Sequence, residues 1–169
     1  ENGDKILLTP EKCIDTQLAC GSDIMMCLDW CTGTESDYET NRKSIDITVK
    51  WAARCKKELE SRVASLGKKK IPPKLFAIIQ GGSFPDLRRE CAERLIELGF
   101  EGFGFGGWPL NADGSLASEQ LALTAELMPD TSVKYAMGVG KPEEIVACRK
   151  MGYDLFDCVI PTREARHNR

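Results

Sequence analysis

The sequence holds a single histidine, His167, and its eight cysteines include no Cys-x-x-Cys pair. The tightest pair, Cys27 and Cys31, has no histidine nearby, so a complete zinc site within this chain is not expected. Also missing is any apolar run approaching the roughly 20 residues that cross a bilayer. The opening Glu1-Asn2-Gly3-Asp4-Lys5 has neither the basic front nor the apolar stretch of a secretory signal. The expectation is a cytoplasmic protein with no membrane partner. Neither sign of charge dominates: Lys+Arg 23 against Asp+Glu 26 leaves a net charge of −3, which argues against coating nucleic acid in bulk. The seven residues from Arg163 to Arg169 depart from that balance, with three arginines against one glutamate, and leave a local phosphate contact open. A content of 42% hydrophobic and 29% charged residues excludes disorder and collagen. A domain of about 150 residues hides roughly 68–70% of its unfolded surface, so one core can form without disulfides. In a reducing compartment the eight cysteines are expected as thiols that fill core positions.

What is present is a repeated alternation of a short apolar run, a Gly or polar stop, and a stretch of helical periodicity. The runs are 22–28 ending at Asp29, 75–79 ending at Gln80, 102–105 ending at Gly106-Gly107, 134–137 ending at Gly138, and 154–156 ending at Asp157. Each reads as a short buried strand. Helices are expected over Tyr38 to Leu66, Pro85 to Leu98, Ser118 to Leu127 and Pro142 to Met151, with Pro142 in a first turn and Gly99 and Gly152 as stops. Lys68-Lys69-Lys70 before Ile71-Pro72-Pro73 reads as a solvated linker. Strand and helix in alternation mean parallel pairing with right-handed crossovers, so the class is α/β. Five strands suit an open doubly wound sheet, or part of a (β/α)8 barrel that needs about 250 residues; length alone prefers the open sheet. In both, functional groups gather at the carboxyl ends of strands, which makes Asp29, Gln80, Gly106-Gly107, Met137-Gly138 and Asp157 candidates for one pocket.

Gly102-Phe103-Gly104-Phe105-Gly106-Gly107 satisfies G-x-G-x-x-G but neither follows a strand nor opens a helix, so it is not a dinucleotide fingerprint. Its expected role is close backbone approach to a flat ligand, the Gly-Gly pair leaving its amides unshielded. Gly138-Val139-Gly140-Lys141 lacks the residues of a phosphate loop, but as a glycine turn leading to a helix amino terminus it suits an anion or a ribose. Asp29 and Asp157 follow apolar strands, where a carboxylate can be tuned by its surroundings, and each could equally cap the next helix. With Gln80 they offer donors and acceptors for the edge of a purine-like base and a second carboxylate able to act as a nucleophile.

The stretch from Phe156 to Arg166, Phe-Asp-Cys-Val-Ile-Pro-Thr-Arg-Glu-Ala-Arg, resembles the signature of the tRNA-guanine transglycosylases, also called queuine tRNA-ribosyltransferases. Matches in the family's order are Leu8-Thr9-Pro10-Glu11-Lys12, Gly21 to Met26, Ile79-Gln80-Gly81-Gly82, Asp86-Leu87-Arg88, Gly106-Gly107, and Met137 to Glu143, so the resemblance covers nearly the whole chain. It implies a (β/α)8 TIM barrel in place of the open sheet. Residues 1–169 then form an incomplete transglycosylase catalytic domain of about five βα units. The family's early strands, with an Asp-Ser-Gly-Gly-Phe-Gln motif, would precede Glu1 and its zinc-binding Cys/His subdomain would follow Arg169. No cofactor is expected within this chain, and zinc only with that subdomain. A fragment and one half of a split enzyme are both compatible with this reading.

The implied activity is exchange of guanine for a 7-deazaguanine base in tRNA through a covalent aspartyl-ribosyl intermediate. Carried over residue by residue, Asp157 is the nucleophile; Asp29 and Gln80 hold the base edge. Gly107 donates a backbone amide, Trp108 is a neighbouring backbone contact, Met137 covers the ring and Gly138 lies at the ribose. Arg163 and Arg166 grip phosphates beside the target nucleotide. The implied partners are tRNA, the free base and guanine, with a homodimer mate or a second chain to complete the barrel. One departure bears on substrate choice: after Gly106-Gly107 the family continues Leu-x-Val-Gly-Glu, whereas this chain reads Trp108-Pro109-Leu110-Asn111-Ala112-Asp113. The alternatives are a related base-exchange enzyme acting on DNA and a non-catalytic subunit of a split transglycosylase.

Overall fold

The computed structural model describes residue 5, residues 7–65 and residues 71–168. Eleven elements follow in order: α1 (Pro10–Ala19), β1 (Ile24–Met26), α2 (Tyr38–Ser65), β2 (Lys74–Ile79), α3 (Pro85–Leu98), β3 (Gly102–Phe105), α4 (Ser118–Leu127), β4 (Val133–Ala136), α5 (Pro142–Lys150), β5 (Leu155–Phe156) and α6 (Ile160–Arg166). All strand pairs are parallel and the spatial order equals the chain order, β1-β2-β3-β4-β5. A doubly wound sheet reverses its order at a switch point and puts helices on both faces. Successive right-handed crossovers between neighbours instead keep every helix on one side. The sheet is therefore a half-barrel, part of a TIM barrel, and the open sheet that length favoured is excluded.

Strand alternation divides the side chains into two sets. On the convex face Leu75, Ala77 and Ile79 of β2, Phe103 and Phe105 of β3 and Ala136 of β4 meet Ile45, Ala52, Cys55 and Leu59 of α2, Leu87, Cys91 and Leu95 of α3, Leu121 of α4 and Cys148 of α5 in one core. The concave face carries the other register, including Phe76, Gly102, Gly104 and Tyr135. There the glycine pattern acquires its meaning. A Cβ at Gly102 would lie 2.5 Å from the Phe76 ring, one at Gly104 would lie 2.9 Å from Met137 Sδ, and one at Gly106 would lie 2.6 Å from the Ile79 carbonyl and 2.7 Å from the Gln80 amide. Every second residue is glycine because neighbouring side chains fill the space above β3. The expected approach of a flat ligand to this bare backbone is thus corrected at 102, 104 and 106, and only Gly107 keeps open room, its nearest neighbour being 3.7 Å from a notional Cβ.

Helix ends follow local chemistry. Pro142 opens α5 with Glu143 and Glu144 in its first turn, and Gly99 (φ +75°) and Gly152 (φ +103°) turn the chain out of α3 and α5, as expected. Two helices were not foreseen. In α1 a short period of Pro10, Ile14 and Leu18 faces the core, and the further signal is its cap, Thr9 accepting from the Lys12 amide at 3.3 Å ahead of Pro10. α6 buries no residue and so has no apolar stripe. The cysteine expectation holds for Cys27, Cys55, Cys91 and Cys148, which are buried; Cys13 and Cys158 are half-buried, and Cys20 and Cys31 are exposed at a helix end and in a loop, a correction. Leu66 and Lys68-Lys69-Lys70 lie outside the described residues; Ile71 beyond them is 92% exposed. No helix among the described residues is long and apolar enough to cross a membrane.

Gly102→Ala is expected to destabilise the protein by about 1–3 kcal/mol through overpacking against Phe76. Adding Phe76→Leu should recover part of that loss in a thermal-unfolding double-mutant cycle, whereas additive effects would show that the two positions do not share this space.

Candidate active site

The carboxyl ends of the five strands form one rim, and the loop carrying Asp29 is held to it by polar side chains on the buried face of α2. Ser44 Oγ donates to the Trp30 carbonyl at 2.5 Å, and the Trp30 amide donates to Thr48 Oγ1 at 3.0 Å. Asn41 Nδ2 donates to the Ser36 and Asp37 carbonyls at 3.0 and 2.9 Å, while its Oδ1 accepts from Thr32 Oγ1 at 2.7 Å. Spaced along one helix face, Asn41, Ser44 and Thr48 are all 1% exposed or less. A buried polar group must be bonded, and here the bonds go to Trp30, Thr32, Ser36 and Asp37, the loop that follows Asp29.

Asp29 caps nothing, since α2 begins only at Tyr38. Its Oδ2 accepts from Gln80 Nε2 at 2.5 Å. Burial raises its pKa above the ordinary aspartate value, opposed by the hydrogen bond from Gln80. Gln80 is 1% exposed, and its Oε1 is the one buried side-chain nitrogen or oxygen without a hydrogen-bond partner among the described residues. An unmet buried acceptor costs roughly 1–3 kcal/mol, which a donor on a ligand would recover. The absent Cβ of Gly106 is what lets the Gln80 amide lie against β3.

Asp157 is not a helix cap either, because the residue before α6 is Val159 and no side chain caps it. Asp157 is exposed, and its Oδ1 accepts from Tyr135 Oη and from the Gly138 amide, each at 2.9 Å. The left-handed backbone of Gly138, φ +77°, turns that amide toward the carboxylate. Burial first, and the hydrogen bond to Asp157 second, push the Tyr135 phenol up to about 12, so at neutral pH it keeps its proton and donates it. Both donors meet the same oxygen, leaving Oδ2 without a partner among the described residues. Sequence reasoning missed Tyr135; the available signal was strand alternation, which puts it on the face of Met137, two residues on. Met137 Sδ lies over Gly104, close to Met26.

Trp108 is 63% exposed beside Gly107, whose φ is +102°. A cleft of about 150 Å³ opens there, lined by Thr32, Glu35, Arg88, Asn111 and Gln120 among others. It adjoins the Asp29–Gln80 pair through Gly107 and does not enclose it. Arg163 and Arg166 stand exposed on α6, and neither makes an ion pair among the described residues. Asp29 and Gln80 are thus brought into contact, as are Asp157 and Gly138. No three His, Cys, Asp or Glu side chains among the described residues converge to hold a metal, so the zinc that the resemblance implies finds no ligand set here.

Comparison with known proteins bears on this rim. The family model described as queuine tRNA-ribosyltransferase matches residues 1–169. Proteins named queuine tRNA-ribosyltransferase from Koribacter versatilis, Lysinibacillus sphaericus and Halothermothrix orenii are 41%, 43% and 42% identical over 98% of this chain. The chain covers 44% of the first and 42% of the other two, less than half the length of the relatives it matches. With residues 1–169 matched by the family model and the relatives above 40% identical over nearly all of it, the chain belongs to the queuine tRNA-ribosyltransferase family.

Proposed function

We propose that the full-length protein carrying this chain exchanges guanine in tRNA for a 7-deazaguanine base, and that the rim holds base and sugar. The observation that carries the reading is the Gln80–Asp29 pair: a desolvated carboxylate bonded to an amide whose other end is a buried acceptor without a partner. Such a pair lacks what a guanine edge supplies. Adjacent N–H donors of the base meet the Asp29 carboxylate and Gln80 Oε1, and the carbonyl oxygen of the base accepts from the Gly107 amide. Met137, a polarizable cover, lies along the ring. The cleft at Gly107 and Trp108 has room for a substituent on the base, and its loop is where this chain departs from the family pattern.

Asp157 is the nucleophile in this scheme. Its Oδ2 attacks C1′ of the ribose while the bond from C1′ to guanine N9 breaks, and the electron pair leaves with guanine, which takes up a proton. The incoming base, giving its N9 proton to solvent, then displaces Asp157 from the same carbon, returning the carboxylate and giving net retention, as in retaining glycosidases. Tyr135 and the Gly138 amide hold Oδ1 and so fix the lone pairs of Oδ2; Gly138 therefore lies beside the ribose. Arg163 and Arg166 meet phosphates, a contact that fixes register and carries no sequence information. No step passes through zinc.

Asp157→Asn in the full-length protein should lower base exchange by roughly ten-thousand-fold, as loss of a covalent nucleophile does. It should also abolish the protein–RNA band in a denaturing gel, and a band of undiminished intensity would remove Asp157 from the nucleophile's role.

Asp29 must be ionised to receive two donors, and burial raises its pKa above the ordinary 3.8. The KM for guanine should therefore rise as pH falls, with its midpoint above that value. For stability the sign is opposite: an acid with a raised folded pKa loses stability as pH rises through the interval between its unfolded and folded values. Asp29→Asn keeps an acceptor for Gln80, so its Tm at neutral pH should equal or exceed that of the parent while guanine binding is lost. A matched fall of both would make Asp29 a structural residue.

A further inference from the structure

Arg88 is a buried charge for which neither the fold nor the proposed reaction accounts. It lies in the first turns of α3, where the helix dipole disfavours a cation, and it is 2% exposed with no carboxylate bonded to it among the described residues. Desolvation brings its pKa down to about 10, which leaves it charged at neutral pH. Its compensation is entirely backbone, hydroxyl and ring. Nε donates to the Gly82 carbonyl at 2.7 Å, Nη1 to the Ile79 carbonyl at 3.4 Å and to Thr124 Oγ1 at 3.2 Å, and Nη2 to the Gly106 carbonyl at 3.1 Å. The guanidinium carbon sits 4.4 Å from the centre of the Phe105 ring. A notional Cβ on Gly81 would be 2.6 Å from the Arg88 amide, so the turn after Gln80 is moulded around this residue.

Those three carbonyls are not scattered. Ile79 precedes Gln80, Gly82 closes the turn that follows it, and Gly106 belongs to the peptide unit whose N–H is that of Gly107. A trans peptide is planar, with its C=O and N–H pointing in opposite directions. Whatever grips the Gly106 oxygen therefore sets the direction of the Gly107 N–H, and a positive charge on that oxygen also polarises the N–H into a stronger donor.

We infer that Arg88 is a positioning residue for base recognition: its guanidinium holds the Gly106 carbonyl and thereby aims and strengthens the Gly107 amide that receives the carbonyl oxygen of the base. The inference rests on the base-site reading above and adds to it a residue that acts through the backbone. It also explains a buried charge at a helix amino terminus, where an apolar side chain would pack at lower cost.

The test uses the full-length protein with guanine and 6-thioguanine, which keeps the N–H donors of guanine but presents sulfur, a poor acceptor, to Gly107. Arg88→Lys, which retains the charge without the fork, and Arg88→Met are compared with the parent by calorimetric binding of each base, by KM for base and for tRNA, and by Tm. Guanine binding should weaken about 10- to 100-fold, the range of one charge-assisted hydrogen bond. 6-Thioguanine binding and the KM for tRNA should change little, so the preference for oxygen over sulfur collapses. Unchanged guanine binding in folded variants, an equal loss for both bases, or failure of both variants to fold would each overturn the positioning role. A parent protein that binds neither base would instead overturn the base site itself.

Discussion

Five strands running in the same direction and pairing in chain order constrain everything else in this molecule. Because each crossover returns to the same edge, every strand ends on one rim, and the residues that follow the strands meet there although more than a hundred positions separate Asp29 from Asp157. The rim is built from short segments, two to six residues of strand each, so its groups are held mainly by what lies behind them. Behind Asp29 is the polar face of α2, and behind Gln80 and Gly107 is the guanidinium of Arg88. Asp157 is held from β4, by Tyr135 and Gly138.

The two aspartates illustrate how one residue type is given two characters. Asp29 is enclosed and joined to a neutral amide, so its charge is expensive and is stabilised most by donors that a ligand brings. Asp157 is open to solvent and already has two donors on one oxygen, so its second oxygen is available. Placement and not composition gives the two carboxylates their different surroundings.

Much of the framework was legible in the sequence. Alternating apolar runs and helical stretches gave all five strands within a few residues, and the stops after them gave Asp29, Gln80, Gly107, Gly138 and Asp157. What escaped did so for physical reasons. The stripe of α1 is only Pro10, Ile14 and Leu18, and α6 buries no residue at all, so periodicity had little to find in either. Tyr135 stands inside a run that reads as a buried strand, and alternation places it on the face of Met137 without telling which face lines the rim. Arg88 sits at core spacing with Leu87, Cys91 and Leu95, where a charge is read as an exposed neighbour unless the carbonyls that receive it can be seen. The glycine series in β3 suggested bare backbone, and the space proved to be taken by side chains from the adjoining strands.

That last arrangement shapes how the protein can adjust. β3 contributes a blank panel, and the contour above it is drawn by Phe76, Met137 and Gln80 leaning in from either side. Its relief can therefore be redrawn by exchanging side chains on β2 or in the β4 exit turn while the central strand stays in register. The thioether, unbranched and lying over a glycine, can slide along that panel without moving the backbone.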